Sequence, residues 1–219
     1  ADIRGFSPFD GDGVQLVFIN GHYSSELSST ELISEDSVCS LAQASVRHPD
    51  LVRPHLNRYL PFEEQAFAAL NTAFVQDGAF VRVGKRATID YPIHLIYVTT
   101  DTYGQVFNSP RNLFVAESGS RASIVETHIC CGDHPSLTNA ASEIVLEEGA
   151  TLDHCKIQRG GDAAVHLDTM FMVAASNSSF KSTCVTIGGG LTRNNVTTVL
   201  DGEGIDSTLN GLYVVDGEE

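Results

Sequence analysis

The spacing of apolar positions changes character near residue 76. Before that point the chain reads as mixed α/β. Residues 14–20 (VQLVFIN) alternate as a strand and run into an Asn20-Gly21 turn, after which residues 22–36 are Ser-rich and polar. Ser37 is placed to cap a short helix running to about Val46, with Leu41, Ala42 and residues 44–46 on its apolar side. Pro49 and Pro54 then break the chain. A second helix is predicted over 61–74, because Pro61 suits a first turn and Phe62, Ala66, Ala69 or Leu70, and Ala73 recur at helical spacing. Residues 1–13 are rich in Gly and Asp and are expected to be loose. The first 75 residues therefore read as a small N-terminal α/β domain, followed by a second domain over 76–219.

From residue 76 onward one layout recurs. The segments 113–119 (LFVAESG), 144–149 (IVLEEG), 171–177 (FMVAASN) and 198–204 (TVLDGEG) are each an apolar strand ending in a small polar turn. Each is followed by another alternating stretch, over 122–129, 151–157, 179–187 and 205–215. The turn residue falls at Gly119, Gly149, Asn177 and Gly204, at intervals of 30, 28 and 27. A strand pair with its turns cannot bury its apolar face alone, whereas stacked coils about 4.8 Å apart pair every backbone group and share one core. Gly and Asn suit the corners because they tolerate left-handed backbone. A β-sandwich has strands every 8–12 residues and predicts no unit of this length, and the every-sixth apolar position of a hexapeptide solenoid is missing. The expected fold class is all-β dominated: a parallel β-helix over 76–219 with the small α/β domain before it.

Composition narrows the class further. With 42% apolar residues a core can form, and disorder is excluded. The formal charge, 13 basic against 28 acidic residues or −15, argues against nucleic acid, which requires clustered Lys and Arg. Arg82, Lys85 and Arg86 read as an ordinary strand-turn surface. No apolar run approaches the roughly 20 residues that span a bilayer. The best candidate, residues 91–98, carries Pro92 and His94, so membrane insertion is not expected. No signal-peptide pattern is visible, although the chain does not begin with Met. Five cysteines (Cys39, Cys130, Cys131, Cys155, Cys184) are too few and odd in number for a secreted disulfide framework. A reducing, intracellular setting follows, in which the acceptor triplets at Asn177 and Asn195 carry no meaning.

The densest chemical cluster is His128, Cys130, Cys131, Asp133 and His134. Thiolate and imidazole suit iron, zinc or persulfide sulfur, which makes Cys130, Cys131 and His134 candidate metal ligands. The competing reading is a loop in which Ile129 and one cysteine pack inward, since adjacent strand residues face opposite ways. Cys155 and Cys184 lie 29 residues apart, one more than the turn spacing of 28, so the two are expected to fill core rather than to chelate together. His154 and His166 read as satisfied surface or core histidines. A carbohydrate-active β-helix enzyme, the alternative function, needs paired carboxylates on neighbouring coils. Asp153 and Asp168 qualify only by elimination. Gly188-Gly189-Gly190 lacks the Lys-Ser/Thr of a phosphate loop and reads as a coil corner, and no Gly-x-Ser-x-Gly elbow occurs. No catalytic residues are assigned.

Several motifs in order resemble the SufD branch of the SufB/SufD family of iron–sulfur cluster assembly scaffolds. They are VFING (17–21) with ELS (26–28), FAALNTAF (67–74) with Asp77-Gly78, PIHL (92–95), LTN (137–139) and EIVL (143–146). DHCKIQ (153–158), GGGLTRN (188–194) and LNGLY (209–213) complete the set, so the resemblance spans about residues 14–217. It implies that the β-helix is right-handed. It also implies a non-catalytic subunit that works with SufB-like and SufC-like ATPase partners, supports iron delivery and complex integrity, and binds no cofactor stably. Iron or an iron–sulfur cluster would pass transiently, in the cytoplasm or, for a plant protein, the plastid stroma. In that family the β-helix continues into a helical domain that docks the ATPase, and the histidine implicated in cluster assembly and the SufB-pairing surface lie in that later part. This chain stops at Glu219, so it is expected to end on an unfinished coil whose open edge invites self-association.

Overall fold

The computed structural model describes residues 13–34, 36–100, 104–132 and 134–214. The expected loose segment 1–13 and the chain end at 215–219 lie, but for Gly13, outside the described residues. The chain forms a parallel β-solenoid of about four turns, the predicted class. One sheet contains β1 (Val14–Ile19), β2 (His22–Tyr23), β5 (Ile93–Thr100), β8 (Arg121–Cys131), β10 (Thr151–Arg159), β12 (Ser179–Ile187) and β14 (Asp206–Val214). Their order is β14-β12-β10-β8-β5-β1-β2. The other contains β3 (Val38–Ser40), β4 (Ala79–Val83), β7 (Arg111–Ala116), β9 (Ser136–Leu146), β11 (Ala164–Ala175) and β13 (Leu191–Asp201). Its order is β13-β11-β9-β7-β4-β3, with the short β6 (Val106–Asn108) pairing β9.

The corners explain why the strands stack. Gly119, Gly149, Asn177 and Gly204 all adopt left-handed backbone, with φ of 69°, 70°, 59° and 69°. Three of the corners donate their N–H to the next coil: Gly119 to Glu148 O, Gly149 to Ser176 O and Asn177 to Glu203 O. Arg86, at φ 59°, is one corner earlier than the sequence pattern reaches. It belongs to the Arg82, Lys85 and Arg86 group, where Glu117 accepts from Arg82 Nε (2.6 Å) and from the Lys85 N–H (2.8 Å). Glu147 repeats the device one coil on, accepting from the N–H and Oγ of Ser118 at 2.9 and 2.8 Å. A carboxylate thus clamps the corner of the coil before it.

The N-terminal segment joins this stack. Strand β1 pairs in parallel with β5, from Val14 against Ile93 to Ile19 against Val98. Beyond it, β2 and β3 pair antiparallel, to β1 and β4 respectively, and close that end of both sheets. Helices α1 (Leu41–Arg47), α2 (Pro49–Val52) and α3 (Ala66–Phe74) lie outside the second sheet. Leu41, Ala44 and Val52 pack on Phe80, Leu113 and Val115, and Leu60 and Ala68 pack on Ala141.

The helix starts differ from the sequence expectation. Ser40 caps α1 in place of Ser37, because residues 38–40 are taken into β3; its side chain accepts from the Gln43 N–H. Pro49 opens the short α2 at its first turn instead of breaking the chain. The second predicted helix begins at Ala66, since Pro61 forms a turn of its own and Gln65 is extended (φ −118°, ψ 113°).

Candidate functional site

The space between the sheets has two halves. Counting from each corner glycine or asparagine, inward positions three residues on are apolar: Ala122, Leu152 and Phe180. With Phe114, Ile144, Met170 and Met172 from the facing sheet they form the main core. Seven and nine residues past the corner the inward positions turn polar. Strand pairing stacks Glu126 on Lys156 on Cys184, and His128 on Gln158 on Thr186. The facing strands contribute His166 and Asp168 from β11, and Thr192 and Asn194 from β13.

These groups fall into neighbouring hydrogen-bonded sets, one around Glu126 and one around Lys156. Glu126 receives His154 Nε2 at 2.9 Å, His128 Nε2 at 3.3 Å and Asn112 Nδ2 at 3.1 Å. The other nitrogen of His154, Nδ1, shares a hydrogen bond with Ser182 Oγ at 2.9 Å. Burial alone would raise the Glu126 carboxyl, but the hydrogen bonds and charge of His128 and His154 outweigh it and hold the group well below the carboxylate range. Lys156 Nζ donates to Asp168 Oδ2 and to Asn194 Oδ1, both at 2.7 Å. Burial acts to lower the Lys156 ammonium, yet Asp168 and its neighbours raise it on balance. His128 lies between two rings, stacked on Tyr97 at 4.5 Å and edge-on to His166 at 4.9 Å. Burial, then His128 and Lys156, push His166 far below the ordinary imidazole value and keep it neutral.

Two cavities open off these sets. One, of about 30 Å³, is lined by Tyr97, His128, Cys130, Ser136, Gln158 and His166 among others. Three buried atoms of residues around it have no partner among the described residues: Asn108 Oδ1, Gln158 Oε1 and His166 Nε2. The other, of about 190 Å³, lies toward β13 and β14 and is lined by His154, Lys156, Asp168, Ser182, Cys184 and Asn194 with apolar neighbours.

The metal-ligand candidates do not converge. Cys130 faces inward, 3.4 Å from Ser136 Oγ. Cys131 is on the opposite face and packs with Val17, Ile96, Val98 and Ile129. His134 is exposed. Asp133 lies outside the described residues. Among the described residues no three His, Cys, Asp or Glu side chains are grouped to hold a metal ion. Register also separates Cys155 from Cys184. Cys155 pairs with Thr183 and Cys184 with Lys156, so the spacing is 28 and the two thiols face opposite ways. His154 and His166 are core histidines, both buried. Asp153 is exposed on the outer face of β10, whereas Asp168 is inside on β11, so the two carboxylates do not pair.

Sequence reasoning missed the polar columns as a unit. Their signal was present: polar residues two apart, at fixed offsets from each corner. Glu126, Lys156 and Cys184 all stand seven residues after a corner.

The described residues form a parallel β-solenoid with a charged interior, and none of their helices is long and apolar enough to cross a membrane. The chain belongs to the SufBD family. Residues 97–219 match the family model for "SUF system FeS cluster assembly, SufBD core domain", and residues 12–95 match that for the "SufBD protein N-terminal region". The chain is 28% identical over 216 residues to an iron–sulfur cluster assembly SufBD family protein of Synechocystis, covering 94% of this chain and 47% of that relative. A second Synechocystis SufBD family protein is 32% identical over 133 residues, covering 58% of this chain and 27% of the relative. An Arabidopsis thaliana SufBD family protein is 27% identical over 193 residues, covering 85% and 38%. The chain spans about half the length, or less, of these curated relatives.

Proposed function

We propose that the chain is the central part of a non-catalytic, SufD-like scaffold subunit of a SUF-type iron–sulfur cluster assembly complex. The observation that carries this reading is the family match over both segments, 12–95 and 97–219, on a solenoid whose buried Glu126, Glu143 and Asp168 are paired with His154, Arg111 and Lys156. Glu126 and Asp168 are engaged by histidine and lysine, and Glu143 by Arg111 at 2.6 Å, so no free carboxylate pair is left for acid–base work at these positions. The partners would be a SufB-like subunit and a SufC-like ATPase. Iron or a nascent cluster would be cargo passing through the complex, not a resident cofactor, in the cytoplasm or in a plastid stroma.

The test is co-purification of the full-length parent with its SufB-like and SufC-like subunits, followed by iron and sulfide analysis. The expected result is a stable complex, with cluster content unchanged in Cys131→Ser. Failure to recover either partner, or hydrolysis of a glycan by the isolated protein, would sink the scaffold reading.

A further inference from the structure

We propose that Cys130 is a site of oxidation by hydrogen peroxide, and that the small interior chamber beside it holds the resulting sulfenic acid. Cys130 is the one cysteine whose side chain lines that chamber. The space, about 30 Å³, takes one oxygen-sized atom. Among the described residues, Gln158 Oε1 and Asn108 Oδ1 are buried acceptors with no donor, and His166 Nε2 is buried with no partner. A sulfenic O–H donates to either carbonyl, and its oxygen accepts from an N–H at His166 Nε2. One such hydroxyl satisfies one carbonyl and His166 Nε2, which reduces the cost of leaving them buried and unpaired.

The other thiols are less suited. Burial pushes those of Cys131, Cys155 and Cys184 up, away from the reactive thiolate. Cys39 is buried under the helices. Cys131 points to the opposite face of β8, and no disulfide joins any of the five. The chemistry balances without a further co-reactant. The Cys130 thiol loses its proton, its sulfur attacks one oxygen of hydrogen peroxide, and the O–O bond breaks. The departing oxygen leaves as water, giving Cys–SOH. Sulfur is oxidised by two electrons as the peroxide is reduced. The inference is independent of any role in cluster assembly.

The experiment treats the reduced 219-residue chain with hydrogen peroxide, removes the excess with catalase, and unfolds the protein in guanidinium containing dimedone. Unfolding exposes all five cysteines to the probe alike. Peptide mass spectrometry is expected to find the adduct several-fold more abundant on Cys130 than on Cys131, Cys155 or Cys184. In Gln158→Leu and in His166→Phe, the Cys130 adduct should fall and sulfinic acid at Cys130 should rise. Equal or greater labelling of another cysteine, or none at Cys130, overturns the proposal. An unchanged yield in a Gln158→Leu protein with wild-type circular dichroism overturns the role of the chamber. Should both variants fail to fold, the ranking of the cysteines in the wild-type chain decides.

Discussion

At the residue scale, the interior charges set how the protein responds to mutation and to pH. Lys156 and Asp168 are both almost wholly buried. Removing one partner leaves the other charged and alone, which costs about 3–5 kcal/mol, whereas replacing both with apolar groups of similar size is near neutral. Lys156→Met should therefore destabilise strongly in urea titration, and the Lys156→Met/Asp168→Leu pair should recover most of the loss. A double variant as unstable as the single one would show that Asn194, not Asp168, is the partner that matters. Histidine supplies the pH response. Burial lowers His94 to about 4. Its unfolded value is near 6.5, so below that pH the unfolded chain takes up a proton that the folded chain refuses. Stability is complete above pH 6.5 and falls progressively toward pH 4, by on the order of 3 kcal/mol for this one group. His166 adds a loss of the same sign. His94→Gln keeps a polar group opposite Thr127, which lies 2.8 Å from His94 Nε2. It should flatten the decline of the urea midpoint between pH 6.5 and 4, and an unchanged slope would place the acid response elsewhere.

At the element scale, two devices hold the pieces in place. The corners need left-handed backbone, so Gly149→Val should cost about 1–2 kcal/mol through strain. Asn177→Gly should be close to neutral, because glycine accepts the φ of 59° freely. Equal losses for the two in denaturant titration would argue against a backbone origin. The second device is Glu143, which is fully buried beneath the segment before α3. It accepts the N–H groups of Asn57 (2.8 Å), Tyr59 (2.8 Å) and Leu60 (3.2 Å) and pairs with Arg111. Glu143→Leu removes all four contacts at once. It should loosen residues 57–60, read as faster tryptic cleavage after Arg58 while the solenoid strands stay protected. These elements also show what the sequence makes legible. The corners recur in residue type, so coil length and strand order can be read directly. Ser37 and Pro61 misplace the helix starts because tertiary pairing competes locally: β4 claims residues 38–40, and Glu143 orders residues 57–60 ahead of α3. A capping signal cannot anticipate a carboxylate more than 80 residues away. The interior polar columns are legible only after register is known, since Glu126, Lys156 and Cys184 share a face by strand pairing and not by proximity in the chain.

At the scale of the whole molecule, the described residues form a stack whose two ends differ. Antiparallel β2 and β3 blunt the N-terminal end, a device that keeps sheet edges from templating further strands. The opposite end has no such cover among the described residues. There β13 and β14 present unpaired backbone beside Leu209, Leu212 and Tyr213. The net charge of −15 opposes association of two copies at long range, and salt screens that repulsion within about 10 Å at 0.1 M. The 219-residue chain should therefore dimerise in a concentration-dependent way that strengthens with added salt. Leu212→Lys combined with Tyr213→Lys puts charge on the open edge and should return a monomer without changing the denaturant midpoint. Light scattering with sedimentation, across salt and protein concentration, distinguishes the cases. A monodisperse monomer of the unmodified chain at high concentration and high salt would mean that this edge has no affinity for its own kind. An interface with a different subunit would then have to be recognised by side chains and not by strand pairing alone.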